Sequence, residues 1–408
     1  MTAARAGRVL DTDALREIRV YPTRSEHHIV GLMSGTSADG IDAVLVEFAG
    51  EATSRVLRHE HVAFDAALRA GVLEASAAPR LEPEALMRLD AALGEHYAAA
   101  TLQLIGNSGL PATQVDAIGL HGQTIRHIPR AAGAGTALSW QIGSAAIVAE
   151  RTGLPVVSDF RSGDTAAGGE GAPLVPIADW WLFRSPAESR VLLNLGGMAN
   201  LTWLAASGGL EDVIAFDTGP GNSVMDGLVA LATEGAERFD RNGTRAAAGR
   251  VAEPLLAELM GDPFFALAPP RSTGRERFGA AYVARVRERA LAVGLSDDDA
   301  IATATELTAA SVAHAIEHFV KPLGVVDALY ASGGGARNHT LLEALARRLA
   351  PVRVQSLEAL GVATESKEAL AFALLAHRTL LGLPGNVPSA TGAARATVLG
   401  RITPGRAR

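Results

Sequence analysis

The chain has 408 residues, of which 48% are apolar and 20% are charged, and its formal net charge is −7. A mildly acidic chain of this kind is not expected to coat nucleic acid or to bind membranes through a basic patch. It contains no cysteine, which excludes disulfides, a thiol nucleophile and thiolate metal ligands. We find neither an uninterrupted apolar run of about 20 residues nor the apolar middle of a signal peptide, so we expect a cytoplasmic protein.

The predicted elements begin after an N-terminal extension. Residues 1–27 are rich in Arg and Ala and weakly patterned, so we expect a frayed or loosely docked segment. Two apolar runs at 28–33 and 43–48 flank a tip of small polar residues, which predicts a β-hairpin. The pattern continues with a helix over 83–105, a short strand over 116–120 that ends at His121, a helix over 142–152, a strand over 154–158 and a Gly- and Pro-rich loop over 160–176.

A similar order of elements starts again in the second half. A strand at 190–195, a turn at 196–200 and a strand at 201–204 predict a second hairpin, and a strand at 212–216 leads to Asp217. The remaining predictions are helices over 222–234, 281–293, 300–319, 338–349 and 366–381 and a strand over 325–331. Two hairpin starts, each followed by strands and helices, predict an α/β protein of two related lobes, with ligands at strand ends and between lobes.

Four glycine-dense polar loops remain after the common motifs are excluded, because the sequence has no GxxxxGK[ST], GxGxxG, HExxH or GxSxG. The first loop, Gly35–Asp42, lies at the tip of the first hairpin. Its small residues and hydroxyls allow backbone and side-chain donors to approach a phosphate. Asp39 and Asp42 offer oxygen ligands to Mg²⁺ through water. An ordinary turn is the alternative, although this tip is longer than a hairpin needs.

The second and third loops each join a strand to a helix. Asp217, followed by glycines and a helix N-terminus, can combine a general base with an anion site. A helix start capped by Asn222 or Ser223 is the alternative. The third loop holds Gly333–Gly335, which allow an adenine ring or a ribose to lie against the backbone, or which form only a tight turn.

The fourth loop is His121-Gly122-Gln123-Thr124, followed by Arg126 and His127. Clustered donors at a strand end suit sugar hydroxyls or a carboxylate, and a structural histidine is the alternative for either imidazole. The four loops in this order resemble, at the level of fold, the actin-like, sugar-kinase and Hsp70-type ATPases. This analogy predicts an α/β fold of two duplicated ribonuclease-H-like lobes with a central inter-lobe cleft. We expect an extension over 1–27, lobe I over 28–160 plus about 385–408, and lobe II over 161–384.

Ten segments in order, from about residue 29 to 400, closely resemble the anhydro-N-acetylmuramic acid kinase family. They include GLMSGTSADGIDAVLVEF (31–48), GLHGQTIRHIP (119–129), LLNLGGMANLTWL (192–204), FDTGPGNSVMDGL (216–228), SGGGARNHTLL (332–342) and KEALAFALLAHR (367–378). The resemblance implies an ATP- and Mg²⁺-dependent enzyme of cell-wall recycling. It would open the 1,6-anhydro ring of 1,6-anhydro-N-acetylmuramic acid with water and phosphorylate O6, giving N-acetylmuramic acid 6-phosphate and ADP.

The resemblance also assigns roles to individual residues. It implies Asp217 as the base that deprotonates water, and Glu368 as a second carboxylate that positions the water, as in inverting glycoside hydrolysis. The implied ATP contacts are Gly35, Thr36, Ser37, Ala38, Asp39, Gly40, Ile41, Asp42, Gly196, Gly197, Gly333, Gly334, Gly335 and Asn338. The implied sugar contacts are His121, Gln123 and Thr124, with Arg126 as a weaker candidate, and Asp39 is implied to bind the metal through water.

Arg271 and Glu170 depart from the commonest family residues at their positions, and we expect neither to contact Asp217. The resemblance suggests a homodimer, and we expect no nucleic-acid or membrane partner. Two alternatives stay open. One is another kinase of the same ATPase superfamily that acts on an ordinary sugar hydroxyl, and the other is a catalytically inactive ATP sensor or scaffold on this fold.

Overall fold

The computed structural model describes residues 15–35, 37–49, 53–130, 135–361 and 366–406. These residues divide into two compact units. Unit 1 comprises the described residues up to Ala178 and from Ser366 onward, and unit 2 comprises those from Asp179 to 361. No helix within the described ranges combines the length and the apolar character needed to cross a membrane.

Twelve strands are present in the described residues. They are β1 (Glu26–Ser34), β2 (Gly40–Ala49), β3 (Thr53–Ala63), β4 (Ala117–Ile128), β5 (Leu138–Ile142), β6 (Val156–Ser158), β7 (Arg190–Leu195), β8 (Met198–Leu204), β9 (Ile214–Pro220), β10 (Ala328–Ser332), β11 (Arg353–Ser356) and β12 (Arg401–Thr403).

The α-helices of the described residues vary from single turns to 26 residues. They are α1 (Arg16–Val20), α2 (Ala66–Ala77), α3 (Pro83–Ser108), α4 (Ala145–Thr152), α5 (Phe160–Ala166), α6 (Pro176–Phe183), α7 (Ser223–Ala232), α8 (Thr244–Ala248), α9 (Glu253–Met260), α10 (Arg275–Phe278), α11 (Ala280–Ala292), α12 (Asp297–Ala315), α13 (His339–Leu349), α14 (Lys367–Leu380) and α15 (Pro388–Thr391).

Both units are built on the same five-strand arrangement. In unit 1 the order is β3-β2-β1-β4-β6, with β12 beyond β6 and β5 paired to the end of β4. In unit 2 the order is β9-β8-β7-β10-β11. The first three strands of each order pair antiparallel with their neighbours. The fourth strand pairs parallel with the third, which is β1 in unit 1 and β7 in unit 2, and the fifth pairs parallel with the fourth. This repeated ribonuclease-H-like order confirms the prediction of a duplicated α/β fold.

β1 and β7 each contain a run of consecutive buried residues, as expected for strands of a sheet that is covered on both faces. In unit 1, Val30 and Leu32 of β1 pack in one core with Leu93 and Tyr97 of α3. In unit 2, the core of β7 packs with α12, which is buried along nearly its whole length. A helix that is apolar or small on all sides is suited to such an interior position.

The opposite face of the unit 1 sheet is covered by α14. Two strand glycines make this possible, because a Cβ added at Gly31 would overlap the carbonyl oxygen of Ala369, and one added at Gly119 would overlap that of Phe372. The helix therefore approaches the strands at backbone distance. The expected boundaries placed 161–178 and 366–384 in lobe II, whereas both ranges belong to unit 1 here.

Four local predictions differ from the structure. β4 continues to Ile128, because its second half pairs with β5, so His121 and Gln123 lie inside a strand. β9 likewise continues through Asp217 to Pro220. The segment predicted as a loop over 160–176 contains α5, whose Phe160 is buried. The N-terminal extension is not loosely docked throughout, since Tyr21 is 2% exposed.

Candidate active-site residues of each unit

Asp217 lies in the middle of β9 in unit 2, and its side chain is partly buried. The backbone N–H of Thr273 donates a hydrogen bond of 2.8 Å to Oδ2. Burial raises the pKa of Asp217 to about 7, against the smaller lowering effects of the Thr273 amide and the Arg271 charge. A carboxyl with such a pKa is suited to general-base catalysis at neutral pH.

Arg271 contacts the backbone of Asp217, which corrects our expectation that it would not. Its Nε donates to the carbonyl oxygen of Asp217 at 2.9 Å, while the Asp217 N–H donates to the carbonyl oxygen of Arg271 at 3.1 Å. Its Nη1 donates to the carbonyl oxygens of Phe264, Phe265 and Leu267 at 3.2, 2.9 and 2.6 Å. Arg271 thus holds the loop that supplies the Thr273 amide.

The second hairpin tip, Gly196 and Gly197, is tied to the start of α7. The N–H groups of Gly221 and Ser223 donate to the carbonyl oxygen of Gly197 at 2.9 and 3.1 Å, and that of Asn222 donates to Gly196 at 2.7 Å. These three amides are therefore used within the protein. They do not form the free anion site that the sequence pattern at this helix start predicts.

The triple-glycine loop lies against the same hairpin. A Cβ at Gly333 would lie 2.8 Å from the carbonyl oxygen of Leu195, and one at Gly335 would lie 2.6 Å from Oδ1 of Asn222. The structure thus brings together the glycines that were assigned to nucleotide binding in unit 2. Gly334, between the two, is exposed.

Two asparagines near this loop have structural contacts. Nδ2 of Asn222 donates to the carbonyl oxygen of Leu195 at 3.0 Å, so its side chain does not cap α7. Asn338 is 6% exposed, and its Oδ1 caps α13 by accepting from the N–H of Leu341 at 3.0 Å. Asn338 therefore shapes the loop.

The loop at the first hairpin tip lies in unit 1, and Thr36 falls outside its described residues. Ala38 has a positive φ of 50° and is buried. Asp39 is exposed and accepts a hydrogen bond of 2.9 Å from Oγ of Ser37. Ile41 is part of the core, whereas at Gly40 an added Cβ would lie 2.5 Å from the carbonyl oxygen of Val62.

Asp42 faces β3 and is held by histidines. Nδ1 of His61 lies 3.0 Å from Oδ1 of Asp42, and Nε2 of His59 lies 3.6 Å from the same oxygen. Burial opposes ionisation here, but the two imidazoles outweigh it and lower the pKa of Asp42. The carboxylate is thus engaged across the sheet.

Gln123 connects the fourth predicted loop to the first. Its Nε2 donates to the carbonyl oxygen of Gly35 at 3.1 Å, while its Oε1 is buried without a hydrogen-bond partner among the described residues. Thr124 accepts at Oγ1 from Nε2 of Gln141 at 3.1 Å. Arg126 donates to the carbonyl oxygen of Ala78 at 2.5 Å, beyond the end of α2.

His121 is 4% exposed and is bound by Arg161, a residue of α5. Nη2 and Nε of Arg161 lie 2.9 and 3.2 Å from Nε2 of His121. Burial and, secondly, the Arg161 charge hold the pKa of His121 well below its usual range, against a smaller opposing effect of the Gly122 backbone. The ring of Phe372 lies 4.4 Å from the imidazole, centre to centre.

Glu368 is exposed in the first turn of α14. Burial lowers the pKa of Arg161 to about 10, and the negative charges of Glu368 and Asp164 oppose this shift. The structure therefore places Glu368 in the electrostatic surroundings of Arg161, which itself binds His121. Glu368 and His121, both predicted as site residues, are thus linked through Arg161 within unit 1.

Sequence reasoning missed Arg161 and underestimated Arg271. Arg161 is 40 positions from His121 and lies in a segment predicted as a loop. The available signal was the single cation in residues 159–172, a stretch of mostly small residues whose other charged residues are all acidic, because a buried cation needs a specific partner.

Two units of ribonuclease-H-like topology, each beginning with a hairpin whose tip is rich in small residues, define the class of actin-like ATPases and sugar kinases. A model of one family, anhydro-N-acetylmuramic acid kinase, matches residues 27–405. The chain belongs to this family of kinases.

Curated relatives agree over nearly their whole length. The anhydro-N-acetylmuramic acid kinase of Caldanaerobacter subterraneus subsp. tengcongensis is 44% identical over 394 residues, covering 95% of this chain and 99% of the relative. That of Salinibacter ruber is 43% identical, with 93% and 97% covered. That of Gloeobacter violaceus is 45% identical, with 92% and 98% covered.

Solved structures give weaker likenesses. The activator of the 2-hydroxyisocaproyl-CoA dehydratase from Clostridium difficile, with bound ADPNP, has a TM-score of 0.42 and 14% identity, covering 86% of this chain and 95% of the other. A ROK family glucokinase from Streptomyces griseus has a TM-score of 0.35 and 14% identity, with 84% and 98% covered. The family assignment therefore rests on the sequence matches.

Proposed function

We propose that this chain opens the 1,6-anhydro ring of 1,6-anhydro-N-acetylmuramic acid with water and transfers the γ-phosphoryl group of ATP to O6. The products are N-acetylmuramic acid 6-phosphate and ADP, and the reaction belongs to cell-wall recycling. Family membership supports the substrate. The observation that carries the chemistry is the partly buried carboxyl of Asp217, which accepts a hydrogen bond from the Thr273 amide and whose pKa of about 7 suits a base that works at neutral pH.

The reaction balances around this carboxylate. Asp217 takes a proton from water, and the hydroxide oxygen bonds to the anomeric carbon C1 while the bond from C1 to O6 breaks. The freed O6 then bonds to the γ-phosphorus of ATP as the bond from that phosphorus to the bridging oxygen of ADP breaks. Glu368 of unit 1 is the second carboxylate, which orients the water.

The other roles follow from the chemistry of each loop. Gly35–Asp42 supplies donors for the ATP phosphates, while Gly196, Gly197 and Gly333–Gly335 accommodate the nucleotide with backbone. His121, Gln123 and Thr124 bind the sugar. Asn338 caps α13 and acts on the nucleotide through the glycine loop that precedes this helix.

Mg²⁺ fits one carboxylate of the first loop. Asp39 is exposed and offers oxygen, the ligand type that Mg²⁺ prefers, and this metal commonly binds through one or two carboxylates, waters and substrate phosphates. The described residues contain one group of three His, Asp or Glu ligand atoms within 4.8 Å, namely Glu26, His28 and Glu47, so Asp39 stands outside it. When bound, the metal would neutralise phosphate charge.

Mass spectrometry of the product made in ¹⁸O-water tests both halves of the reaction. We expect ¹⁸O at C1, unlabelled O6 and phosphate on O6. Strong phosphorylation of free N-acetylmuramic acid or a plain hexose, with none of the anhydro sugar, would instead identify an ordinary sugar kinase. ATP binding without turnover of any sugar would identify a sensor or scaffold.

The variant Asp217→Asn tests the base directly. We expect it to bind ATP and to lose turnover of the anhydro sugar by at least about 100-fold, the range of a general base. Asp212→Asn is a matched control, because Asp212 is exposed in a turn after β8. Near wild-type turnover by Asp217→Asn would exclude Asp217 as the base.

A further inference from the structure

The geometry of the His121–Arg161 pair determines which imidazole nitrogen carries the proton. Two N–H groups of Arg161 converge on Nε2 of His121, at 2.9 and 3.2 Å. A guanidinium has only donors, so Nε2 must be the acceptor. In a neutral imidazole the other nitrogen is then the donor, and the proton lies on Nδ1.

Nδ1 of His121 is buried and makes no hydrogen bond of normal geometry to the described residues, although the Gly122 backbone exerts the weakest of the three effects on the His121 pKa. Burying a hydrogen-bond donor without an acceptor destabilises a folded protein. Such an atom is expected where a ligand supplies the missing acceptor. The nitrogen therefore marks a contact point for an oxygen atom that the protein itself does not provide.

The pair is held in place from several sides. Nη1 of Arg161 donates to the carbonyl oxygen of Gly171 at 2.8 Å, which fixes the guanidinium. Gly171 is fixed in turn, because its N–H donates at 2.8 Å to Asp164. The ring of Phe372 packs against the imidazole, with 4.4 Å between the ring centres.

We propose that Arg161 is a positioning residue that holds His121 as the neutral Nδ1–H tautomer, so that His121 donates a hydrogen bond to an oxygen acceptor of the sugar. The acceptor class is an ether, carbonyl or carboxylate oxygen, since a neutral donor needs a lone pair. This assignment rests on the proposed function for the identity of the ligand. It excludes His121 as a proton-transfer group, because its remaining nitrogen is occupied by Arg161.

The tautomer is read directly by ¹H–¹⁵N NMR of protein labelled with [¹⁵N]histidine, without any ligand. We expect a protonated Nδ1 and an unprotonated Nε2 for His121. The His121 signals are assigned as those that disappear from the spectrum of His121→Gln. In Arg161→Met the restraint is absent, and we expect the Nε2–H form to appear. Arg151→Met is the control, because Arg151 pairs with Glu95 on the surface of α4, and we expect it to leave the His121 signals unchanged.

Kinetics supply the second readout. We expect Arg161→Met to raise KM for the anhydro sugar about tenfold or more, the cost of one misdirected hydrogen bond, with KM for ATP unchanged. Arg161→Lys retains the charge but not the forked donors, so we expect it to resemble Arg161→Met. Sugar binding should also shift the Nδ1–H resonance of the wild-type protein.

Each outcome decides a different question. A wild-type spectrum with the proton on Nε2 overturns the proposal, even if no Arg161 variant folds. If saturating sugar does not shift the Nδ1–H resonance of His121, the proposed hydrogen bond from His121 to the sugar is overturned. An Nδ1–H spectrum in a protein that fails to phosphorylate the anhydro sugar would leave the tautomer assignment standing and refute the proposed function instead.

Discussion

A carboxyl group that is partly withdrawn from water resists ionisation unless its surroundings stabilise the negative charge. The surroundings of Asp217 contain effects of both kinds. The Thr273 amide and the Arg271 guanidinium favour the carboxylate, whereas burial and the charge of Glu276 oppose it. Burial prevails, so the pKa rises to about 7. The contacts of Arg271 with Phe264, Phe265 and Leu267 fix the geometry of this balance.

The balance predicts the pH dependence of catalysis. A base must be ionised to accept a proton, so kcat/KM for the anhydro sugar should rise with pH through about 7 and level off above it. Arg271→Met removes a charge that favours the carboxylate and should move this limb to higher pH, whereas Arg271→Lys should keep it near 7. Measurement of kcat/KM from pH 5.5 to 9 distinguishes the two variants. If kcat/KM rises at the same pH in Arg271→Met and Arg271→Lys, the role of the Arg271 charge is contradicted.

At the scale of elements, α14 depends on two strand glycines for its position. Gly31 and Gly119 leave no space for a methyl group beneath the helix backbone. Backbone cannot move aside as a flexible side chain can, so overpacking here must displace the helix. The helix carries Glu368 in its first turn, which links this packing to the candidate active-site residues.

Glycine-to-alanine variants test this packing. We expect Gly31→Ala or Gly119→Ala to destabilise the protein by about 1–3 kcal/mol or more, seen as a lower Tm. Gly106→Ala is the matched control, because Gly106 lies in α3 with open space around it and should gain about 0.5–1 kcal/mol from helix propensity. Equal Tm changes at Gly31 and Gly106 would refute the close-packing argument.

Patterns within one element were sufficient to predict both hairpins and seven of the fifteen α-helices of the described residues, but not the strands β3, β5, β11 and β12. The course of β4 was not predictable, because its second half is set by pairing with β5, a partner that only tertiary structure brings near. The role of Arg161 was not predictable either, because its partner His121 is 40 residues away in sequence and only tertiary structure brings the two together. Asp217 could be identified by resemblance, but its pKa depends on burial and on the distant residues 271 and 273.

At the scale of the whole molecule, the N-terminal segment is anchored by a buried aromatic group. The hydroxyl of Tyr21 lies 2.6 Å from Nδ1 of His377, and its ring stacks on His27 with 3.9 Å between centres. His377 also stacks on Phe48. Burial, with a smaller effect of His27, lowers the pKa of His377 to about 3. Tyr21 and His27 are thus tied to α14 and to the sheet of unit 1.

This cluster predicts acid sensitivity. An unfolded chain protonates His377 below about pH 6.5, whereas the folded protein keeps it neutral down to about 3. The unfolded state therefore binds more protons in this window, and the free energy of unfolding falls as pH falls, by up to about 1.4 kcal/mol per pH unit. Urea unfolding between pH 4 and 7 should show a shallower slope for His377→Gln than for wild type or for the exposed control His318→Gln. An unchanged slope in His377→Gln would contradict the prediction.

Unit 1 is assembled from chain segments that a ribosome produces far apart in time. The strands β1 and β4 emerge early, yet α14, which covers one face of them, follows only after unit 2 has been translated. At 5–20 residues per second the interval from the end of β4 to the start of α14 is roughly 10–50 s, during which the uncovered apolar strand face is open to aggregation or chaperones. Nascent chains arrested before α14 should therefore be held by chaperones, and release should coincide with synthesis of the C-terminal segment.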